Sequence, residues 1–441
     1  MTLSQRKRLI APLALLGVAG IALAGCGAPG APTGGGGGGG GDVDGETVTI
    51  YGTIVEAEAE LLQESWADFE EETGIDIKYE GSQDFETQLG TRAQGGNPPD
   101  IAIFPQPGLM ADFASRDFLK PAPEAVVENA NEYWSEDWVN YGTVDDTFYG
   151  APLMASVKGW IWYSPAKFAE WGVEVPKTLD ELNALTATIQ STSGAAPWCA
   201  GFESGTATGW PGTDWIEDYV LRQAGTDVYD QWAAGEVPFT DPQIKTAFDS
   251  VGEILLNPSY VNAGFGDVRS INSTAFGDVA PALAEGTCAL THQASFLSGF
   301  YPEGTKVAED GDVWAFILPG ETEGETTVTG GGEIVGAFSD SEATQQVLEY
   351  LSSPEWANAR VSLGGVVSAN SGLDPESAQD PILQETIKIL QDEETTFRFD
   401  ASDLMPGAVG AGTFWKGMVA WINGDSTDAV LEQIETGWPS E

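Results

Sequence analysis

Histidine and cysteine, which supply most zinc ligands and many enzymatic nucleophiles, are nearly absent from this chain. Among its 441 residues there are one histidine, His292, and three cysteines. A single histidine argues against a zinc hydrolase, and the G-x-S-x-G motif of many serine hydrolases does not occur in the sequence. We therefore predict no bound metal and no cofactor, and no local signature of a catalytic residue is present.

Basic residues are also scarce, with 18 Lys and Arg against 68 Asp and Glu and a formal net charge of −50. Such a chain repels the phosphates of nucleic acids and the head groups of anionic lipids, so we expect neither as a partner. Hydrophobic residues still make up 42% of the sequence. That share and the chain length are enough for the cores of two domains of ordinary size.

Only one long apolar run is present, Leu9–Ala24, and it follows three basic residues at 6–8. This order is typical of an export signal rather than of a membrane-spanning helix. The run ends in LAGC (23–26), which resembles the lipobox of bacterial lipoproteins, where the signal is cut before a cysteine that then receives lipid. We predict a lipoprotein signal peptide over residues 1–25 and lipidation of Cys26. A plain signal peptide with an incidental cysteine is the alternative.

Residues 26–46 are rich in glycine, which gives a flexible chain without side chains to pack. We interpret this segment as a tether and expect the fold to start near Glu46. The remaining cysteines, Cys199 and Cys288, form an even pair in a chain that is predicted to be exported, which favours a disulfide between them. Two buried thiols are the alternative.

Patterns typical of strands and helices alternate from the start of the predicted fold. The predicted order is strand Thr47–Thr53, helix 58–74, strand 75–81, helix Phe85–Ala93 and strand Pro98–Gln106. Such β-α-β-α-β alternation indicates a parallel sheet covered by helices. Further along, helix starts are predicted at Thr178 with Glu181, at Asp241 with Pro242, and at Ser339 with Glu342. A strand over Asp312–Gly320 and helices over Phe414–Asn423 and Asp428–Glu435 complete the prediction.

Several segments, taken in order, resemble the family 1 extracellular solute-binding proteins of ABC importers, in the branch of maltose- and α-glucoside-binding lipoproteins. DDTFYGAPLMASVKGWIWYSPAKFAEWGVEVPKTLDEL (Asp145–Leu182) resembles the family's crossover segment, and LAEGTCAL and GGGEIVGAFSDSEATQQVLEYLSSPEWA resemble two later elements. PWCAGFESGTATGWPGTDWIEDYVLR, HQASF and FRFDASDLMPGAVGAGTFWKGM are similar to the α-glucoside binders. Thr178-Leu179 departs from the family's usual Thr-Trp. The resemblance covers residues 47–435.

The resemblance implies an α/β, two-lobed fold of the type II periplasmic-binding-protein kind, in which each lobe is a sheet flanked by helices and a hinge joins the lobes. One lobe would hold residues 47–155 and 313–365, and the other 156–312 and 366–441.

The implied function is that of a monomeric, extracytoplasmic receptor, lipid-anchored to the cell membrane. It would bind an α-glucoside or another small oligosaccharide between its lobes and deliver it to ABC permease subunits. An extracellular glycoside hydrolase and a surface carbohydrate-binding adhesin remain the alternatives. With 68 acidic residues, the paired carboxylates that a hydrolase needs cannot be recognised from the sequence.

A sugar-binding cleft needs flat rings for the C–H faces of the sugar and fixed polar groups for its hydroxyls. The string GWPGTDWIED (209–218) offers both, with Trp210 and Trp215 as stacking platforms and Asp214 as an acceptor. The alternatives are that Trp215 packs into the core, and that Asp214 caps a helix whose capping box is completed by Glu217.

Other candidates are spread along the chain, and several also have a structural interpretation. Trp415 and Trp160 would stack or belong to the core, and Arg398 would bind sugar oxygens or form an ordinary ion pair. His292, with Gln293, would donate hydrogen bonds to sugar hydroxyls, or His292 would be a structural residue whose hydrogen bonds are satisfied inside the protein. Asp403, Gln106 and Glu333 are polar candidates for hydrogen bonds to the sugar. Gly331 would let a ligand approach the backbone closely, or would form only a turn.

Overall fold

A computed structural model describes residues 43–262, 264–392 and 394–439. The predicted signal peptide, Cys26 and most of the predicted tether lie outside these ranges. Within them, none of the helices combines the length and the apolar character needed to span a membrane.

Strands and helices alternate through most of the described chain. The strands are β1 Thr47–Gly52, β2 Asp76–Gly81, β3 Ile101–Phe104, β4 Thr143–Val144, β5 Thr147–Phe148, β6 Gly150–Val157, β7 Trp160–Tyr163, β8 Trp198–Cys199, β9 Leu290–Gln293, β10 Trp314–Ile317, β11 Thr327–Ala337 and β12 Thr396–Phe399. The helices are α1 Glu56–Glu64, α2 Ala67–Thr73, α3 Phe85–Gln94, α4 Pro107–Ser115, α5 Glu124–Tyr133, α6 Glu136–Tyr141, α7 Pro165–Trp171, α8 Leu179–Ser193, α9 Trp210–Ala224, α10 Thr226–Ala233, α11 Pro242–Leu255, α12 Val279–Ala284, α13 Glu342–Leu351, α14 Pro354–Ser362, α15 Pro381–Gln391, α16 Ala401–Leu404, α17 Trp415–Asn423 and α18 Thr427–Glu435.

Two sheets organise the fold. The first has the strand order β12-β11-β3-β1-β2, with β6 paired to the opposite side of β11. In it β1 is parallel to both β2 and β3, as the alternating pattern predicts. The second sheet has the order β10-β7-β9-β8. The chain first passes between the sheets in the short link that joins β6 to β7.

Sheet membership differs from the predicted lobe boundaries at two places. Strand β10 pairs with β7 in the second sheet, although the prediction assigns residues 313–365 to the first lobe. Strand β12 pairs with β11 in the first sheet, although 366–441 was assigned to the second lobe. Strand pairing shows which sheet each strand joins, and the lobes and their boundaries remain a prediction.

The predicted helix over 58–74 is interrupted in the structure. Helix α1 ends at Glu64, and the Ser65 hydroxyl donates to the Leu62 carbonyl oxygen at 2.6 Å, which is the kind of local side-chain bond that competes with a helix. A second helix then ends at Gly74, whose φ of 72° suits glycine, as predicted.

Two of the three predicted helix starts are confirmed. Thr178 and Asp241 each accept a hydrogen bond from the first turn of the helix that follows. The third prediction is wrong by two residues, because Ser341 rather than Ser339 caps α13 and accepts from the Thr344 amide.

A hydrophobic core lies against each sheet. Helices α8, α9, α11, α17 and α18 contribute buried side chains to the core beside the second sheet, which includes Trp198, Trp215, Trp232 and Trp421. Strands β1, β3 and β6 share a separate core with α13 and α14 beside the first sheet. Each sheet thus packs against its own hydrophobic core. The polar side chains of the candidate site, described below, lie near the ends of the strands.

The structure joins Cys199, in β8, to Cys288, which precedes β9 by two residues. The two cysteines are 89 residues apart in sequence. A disulfide that closes so long a loop restricts the unfolded chain more than the folded one.

We predict that the double substitution Cys199→Ser/Cys288→Ser lowers the free energy of unfolding by about 2–5 kcal/mol, measured by urea denaturation without reductant. Because the bond acts mainly on the unfolded state, the far-UV circular dichroism of the folded protein should not change. Titration of thiols in the denatured, unreduced chain gives the independent check. Three free thiols per chain would contradict the disulfide, whereas at most one, from Cys26, agrees with it.

Candidate ligand-binding cleft

Strand β11 contains a gap in its pairing that positions the candidate site. Along one side of β11, β12 pairs up to Gly330 and β3 pairs from Ile334 onward. Because β12 is parallel to β11 and β3 is antiparallel to it, the carboxyl ends of both strands point at the segment Gly331–Glu333. We call this segment the β11 gap. Ligands of open α/β sheets bind at places where strand ends diverge in this way.

Lys158 lies beside the β11 gap, in the link from β6 to β7. Its backbone amide donates to the Thr329 carbonyl oxygen at 2.8 Å. A Cβ atom on Gly331 would lie 3.3 Å from Lys158 Cε. The neighbouring Gly159 has a φ of +76°, and a Cβ there would lie 2.7 Å from Asp218 Oδ2. Only glycine fits at this position, and the turn that it permits directs the chain into the second sheet.

The Lys158 ammonium is surrounded by buried carboxylates. It donates to Asp214 Oδ1 at 2.8 Å and also to Asp400 Oδ2. Glu217 lies one helical turn after Asp214 and accepts a hydrogen bond from the Ser402 amide at 3.0 Å. Asp403, half-buried in α16, completes what we call the Lys158 cluster: Lys158, Asp214, Glu217, Asp400 and Asp403.

The cluster divides its charges unevenly. Burial alone would lower the Lys158 pKa, but Asp214 and Asp400 outweigh burial and raise that pKa well above its usual range. Burial opposes ionisation of Asp400 too, yet Lys158 lowers the Asp400 pKa to about 2. Burial and then the Asp400 charge raise the Glu217 pKa well above normal. Glu217 therefore keeps its proton beside Asp400, and the Asp403 pKa is raised for the same two reasons.

A second buried ion pair fixes helix α9 to both sheets. The Asp218 carboxylate accepts a hydrogen bond from Arg222 Nη1 at 2.7 Å and another from the Thr329 hydroxyl of β11. It also lies 2.7 Å from His292 Nε2 in β9. Arg222 Nε in turn donates to the Leu318 carbonyl oxygen at 2.9 Å. Burial opposes a charge on Asp218, but Arg222 and His292 hold its pKa below the ordinary value.

The structure corrects the predicted start of α9. The helix begins at Trp210 rather than at Asp214, with Gly209 as its N-cap residue and proline in its first turn. Asp214 therefore does not cap the helix, and Glu217 does not complete a capping box. Both acids lie inside the helix and face the Lys158 cluster, because residues at i and i+3 share a helix face.

Trp210 stands at the edge of a group of aromatic rings. Its half-buried ring lies 5.2 Å from Phe276 and 6.1 Å from Phe296, centroid to centroid. Phe300, 42% exposed, extends the group. Lys158 Nζ lies 5.4 Å from the Trp210 ring centroid. An apolar surface and a polar cluster therefore meet at Trp210.

Polar groups from the first sheet approach the same region from the other side. Gln106 follows the end of β3, and its amide nitrogen donates to Glu86 at 3.3 Å, while its buried Oε1 has no partner within the described ranges. A Cβ on Gly108 would lie 2.3 Å from the Met405 carbonyl oxygen. The segment after β3 and the segment after β12 thus pack directly against each other.

The structure brings some of the predicted residues together and separates the rest. Four of the predicted residues belong to the site: Asp214 and Asp403 to the Lys158 cluster, and Gly331 and Glu333 to the β11 gap. Trp210 and Gln106 lie beside them. Gly331 belongs to a strand rather than to a turn. The Trp415 backbone adjoins Gly209, and its indole is buried with Nε1 unpartnered within the described ranges.

The other candidates have structural surroundings. Trp215 is 1% exposed and packs on Trp198 and His292 in the core. The Gln293 side chain accepts from the Ala294 amide, and Trp160 is buried in a separate core. Arg398 forms a two-bond pair with Asp230 at 2.6 and 3.0 Å. These placements agree with the structural alternatives.

Three members of the Lys158 cluster were not predicted as ligand-site residues: Lys158, Glu217 and Asp400. Phe276, Phe296 and Glu86 were also missed. A signal for Lys158 was available, since it is one of few basic residues and follows a strand with a strongly apolar pattern. Asp400 differed in no visible way from the other 67 acidic residues.

A separate surface hollow of about 600 Å³ lies between α5 and α13. Its lining is mostly glutamate and glutamine and contains no aromatic ring. We do not place the site there, because this lining offers neither a stacking platform nor a positive charge to balance its glutamates.

Comparison with known proteins identifies the family. The profile of the bacterial extracellular solute-binding proteins matches residues 53–358. The chain belongs to this family. Its members are binding proteins and receptors rather than enzymes.

Two relatives within the solute-binding protein family are similar over most of their length. The osmoprotective compounds-binding protein GgtB of Synechocystis sp. is 40% identical over 402 residues, covering 90% of this chain and 94% of the relative. The alpha-glucosides-binding periplasmic protein AglE of Rhizobium meliloti is 36% identical over 410 residues, covering 90% of this chain and 88% of the relative.

Solved structures show that this solute-binding protein has the predicted type II periplasmic-binding-protein fold. The bacterial solute receptor AcbH superposes with a TM-score of 0.74 at 19% identity, covering 89% of this chain and 98% of AcbH. Maltose-bound MalE3 of T. maritima gives a TM-score of 0.70 at 17% identity, covering 88% of this chain and 98% of MalE3.

We predict that Lys158→Met lowers the free energy of unfolding by about 3–5 kcal/mol, because it leaves buried carboxylates without their counter-charge. The matched control is Lys167→Met, which removes a lysine whose side chain is 45% exposed and whose pairing with Glu170 is superficial, at a cost of about 0.5 kcal/mol or less. Urea denaturation at neutral pH measures both variants. Equal effects would show that the cluster does not stabilise the fold.

Stability should also depend on pH through Glu333. Burial and the charge of Glu58 raise the Glu333 pKa from 4.5 to about 7. The folded protein holds this proton more tightly than the unfolded chain, so the stabilising contribution is complete below pH 4.5 and is lost as the pH rises through 7. Arg360 and Lys158 oppose the shift, and the Tyr79 hydroxyl lies nearby.

We expect Glu333→Gln to lose less stability between pH 4.5 and pH 7 than the parent protein does, as measured by urea denaturation at several pH values. The control, Glu60→Gln, changes an exposed residue of α1 and should keep the parental slope. A parental slope in Glu333→Gln would show that Glu333 does not hold the proton.

Proposed function

We propose that this solute-binding protein captures a small α-glucoside beside the β11 gap and delivers it to the permease subunits of an ABC importer. The observation that carries the proposal is the position of Trp210, a half-buried ring with phenylalanines on one side and a lysine–carboxylate cluster on the other. The name of the Rhizobium meliloti relative, an α-glucoside binder, supports the same class of ligand.

Trp210 and its aromatic neighbours suit the apolar face of a glucose ring. Burial of about 100 Å² of ring and sugar surface contributes roughly 2–3 kcal/mol. A tryptophan fixed at the first position of a helix loses little conformational freedom when it stacks, so most of this energy is available for binding.

Polar groups around the Lys158 cluster suit the hydroxyls of such a sugar. Asp403 and Glu86 are half-buried, and Asp214 Oδ2 and Gln106 Oε1 are buried acceptors without partners in the described structure. Burial raises the pKa of Asp214 and of Asp403 and keeps both acids protonated. The site therefore presents hydroxyl donors as well as acceptors, which favours a neutral hydroxylated ligand.

We further propose that the protein acts outside the cytoplasm and is held at the membrane by lipid on Cys26. The support is the lipobox-like LAGC after a basic and apolar leader. A glycine-rich segment between the lipid and the fold would let the receptor reach the permease.

We predict that Trp210→Ala weakens the binding of maltose, sucrose or trehalose, whichever the parent protein binds, by about 30-fold or more, since about 2–3 kcal/mol of stacking is lost. Binding is detected as a thermal shift and quantified by calorimetry. At a hundredfold excess over Kd, the parent should gain about 2.7 kcal/mol of stability.

The control for Trp210 is Trp171→Ala, which removes a half-buried tryptophan that packs against the core of the second sheet. This variant should bind sugar as the parent does, even if it melts at a lower temperature. If Trp210→Ala binds sugar as tightly as the parent does, Trp210 does not contact the ligand. Absence of any thermal shift of the parent with all three sugars would count against the proposed ligand class.

A further inference from the structure

Two half-buried glutamates mark a region beyond the Lys158 cluster. Glu58 lies in the first turns of α1, which begins four residues after the end of β1. Glu333 lies in the β11 gap, next to Ile334, which pairs with the last residue of β3. Because β1 and β3 are neighbouring parallel strands, both glutamates occupy the same edge of the first sheet, where ligands of such sheets bind.

Arg360 lies behind these two glutamates. It is carried by α14, which packs against α1, and it is fully buried. Its Nη1 donates to the Gly364 carbonyl oxygen at 2.8 Å, but Nε and Nη2 have no hydrogen-bond partner in the described structure. A buried guanidinium normally has all its donors satisfied, so this one needs an explanation.

The three charges act on one another. Burial lowers the Arg360 pKa, and the charges of Glu58 and Glu333 oppose that effect. Burial raises the Glu58 pKa, and Arg360 opposes the change. Burying a charged group that lacks some of its hydrogen bonds costs free energy. Groups with perturbed pKa values of this kind are concentrated at functional sites. Here the two partly exposed members, Glu58 and Glu333, are the ones that a ligand can reach.

The glutamates continue the path of the proposed glucose site. Gly331 and Glu333 lie on the same face of β11, and Gly331 adjoins Lys158, which lies under Trp210. Two residues along a strand span about 6.8 Å, so Glu333 lies farther along β11 from Lys158 than Gly331 does. A ligand that starts on Trp210 and extends along β11 would meet Glu333 with the part that lies beyond its first ring.

We propose that Glu58 and Glu333 bind the second hydroxylated unit of the ligand, and that Arg360 is a positioning residue that orients and balances the two carboxylates from behind. The inference rests on the proposed function and deepens it, because it assigns the ligand two adjacent hydroxylated units rather than one. Carboxylates accept hydrogen bonds from vicinal hydroxyls, whereas an anionic second unit would be repelled.

The test compares a two-unit with a one-unit probe. Calorimetry at pH 8 measures the Kd of the parent, Glu58→Gln and Glu333→Gln for the best-bound disaccharide among maltose, sucrose and trehalose, and for methyl α-D-glucopyranoside. Each variant should bind the disaccharide about 10-fold or more weakly, because a charged acceptor is lost. Binding of the one-unit probe should change less than about threefold. Glu60→Gln, on the exposed side of α1, should leave both Kd values unchanged.

Arg360 is tested through the pH profile, which a purely structural role would not shift. Disaccharide affinity measured from pH 5 to pH 8 should follow the ionisation of Glu333 in the field of Glu58, Lys158 and Arg360, with the Tyr79 hydroxyl close by. Arg360→Gln should move the midpoint of the profile to higher pH, because a positive charge that favours the carboxylates is gone. Arg360→Lys should restore the midpoint.

The outcomes separate this inference from the proposed function. If the parent binds the disaccharide but both glutamate variants weaken the two probes equally, or neither probe, the second-unit site is overturned and the proposed function stands. An unmoved midpoint in Arg360→Gln overturns the positioning role. If the parent binds no sugar at all, the proposed function and this inference fail together.

Discussion

The arrangement of the site depends on one buried contact, the Lys158 ammonium between Asp214 and Asp400. Lys158 comes from the link between the two sheets, Asp214 from inside α9, and Asp400 from the end of β12. Acids 56 and 242 residues away in sequence are thereby held at one point. Removing a buried ammonium from water is costly, and only simultaneous contact with several carboxylates offsets that cost. The contact therefore fixes where three segments meet, and it places Trp210, at the start of the same helix, against the cluster.

The same contact determines the charge that a ligand encounters. One lysine cannot balance four ionised carboxylates, so burial and the Asp400 charge keep Glu217 and Asp403 protonated. A protein with a net charge of −50 thus contains an interior site whose charge is far closer to neutral than its surface is. The second ion pair, between Asp218 and Arg222, fixes α9 to β9 and β11, so the position of the helix does not rely on the cluster alone. Neutral, hydroxyl-rich solutes can enter such a site without bringing a charge that must be desolvated.

Local patterns in the sequence predicted much of the fold and only part of the site. Strands β1, β2 and β3 follow from alternating polarity, and the helix starts at Thr178 and Asp241 follow from short-range hydrogen bonds. The start of α9 was mistaken because proline and glycine after Trp210 look like a turn, although proline is well suited to the first turn of a helix. Asp400 escaped prediction because its role arises from contacts between distant segments, whereas Lys158, one of few basic residues after an apolar strand, carried a signal that was not used. Trp215 and His292 have the right chemistry for a site, but which face of an element points inward is decided by packing that the sequence pattern leaves ambiguous.

The relatives place a further constraint on where specificity lies. Two proteins that are 40% and 36% identical to this chain over nearly its whole length are named in different terms, one for osmoprotective compounds and one for α-glucosides. Within one fold, a few side chains at the cleft decide which ligand is bound, since the cores and the sheet pairing must be preserved. In this chain a glucose ring on Trp210 would satisfy the aromatic and lysine side of the cleft, and such contacts are compatible with many glucosides. Discrimination among them must then come from groups that contact the part of the ligand beyond the first ring. Glu58 and Glu333 occupy that position, and a single charged acceptor gained or lost there changes affinity about tenfold without disturbing the fold.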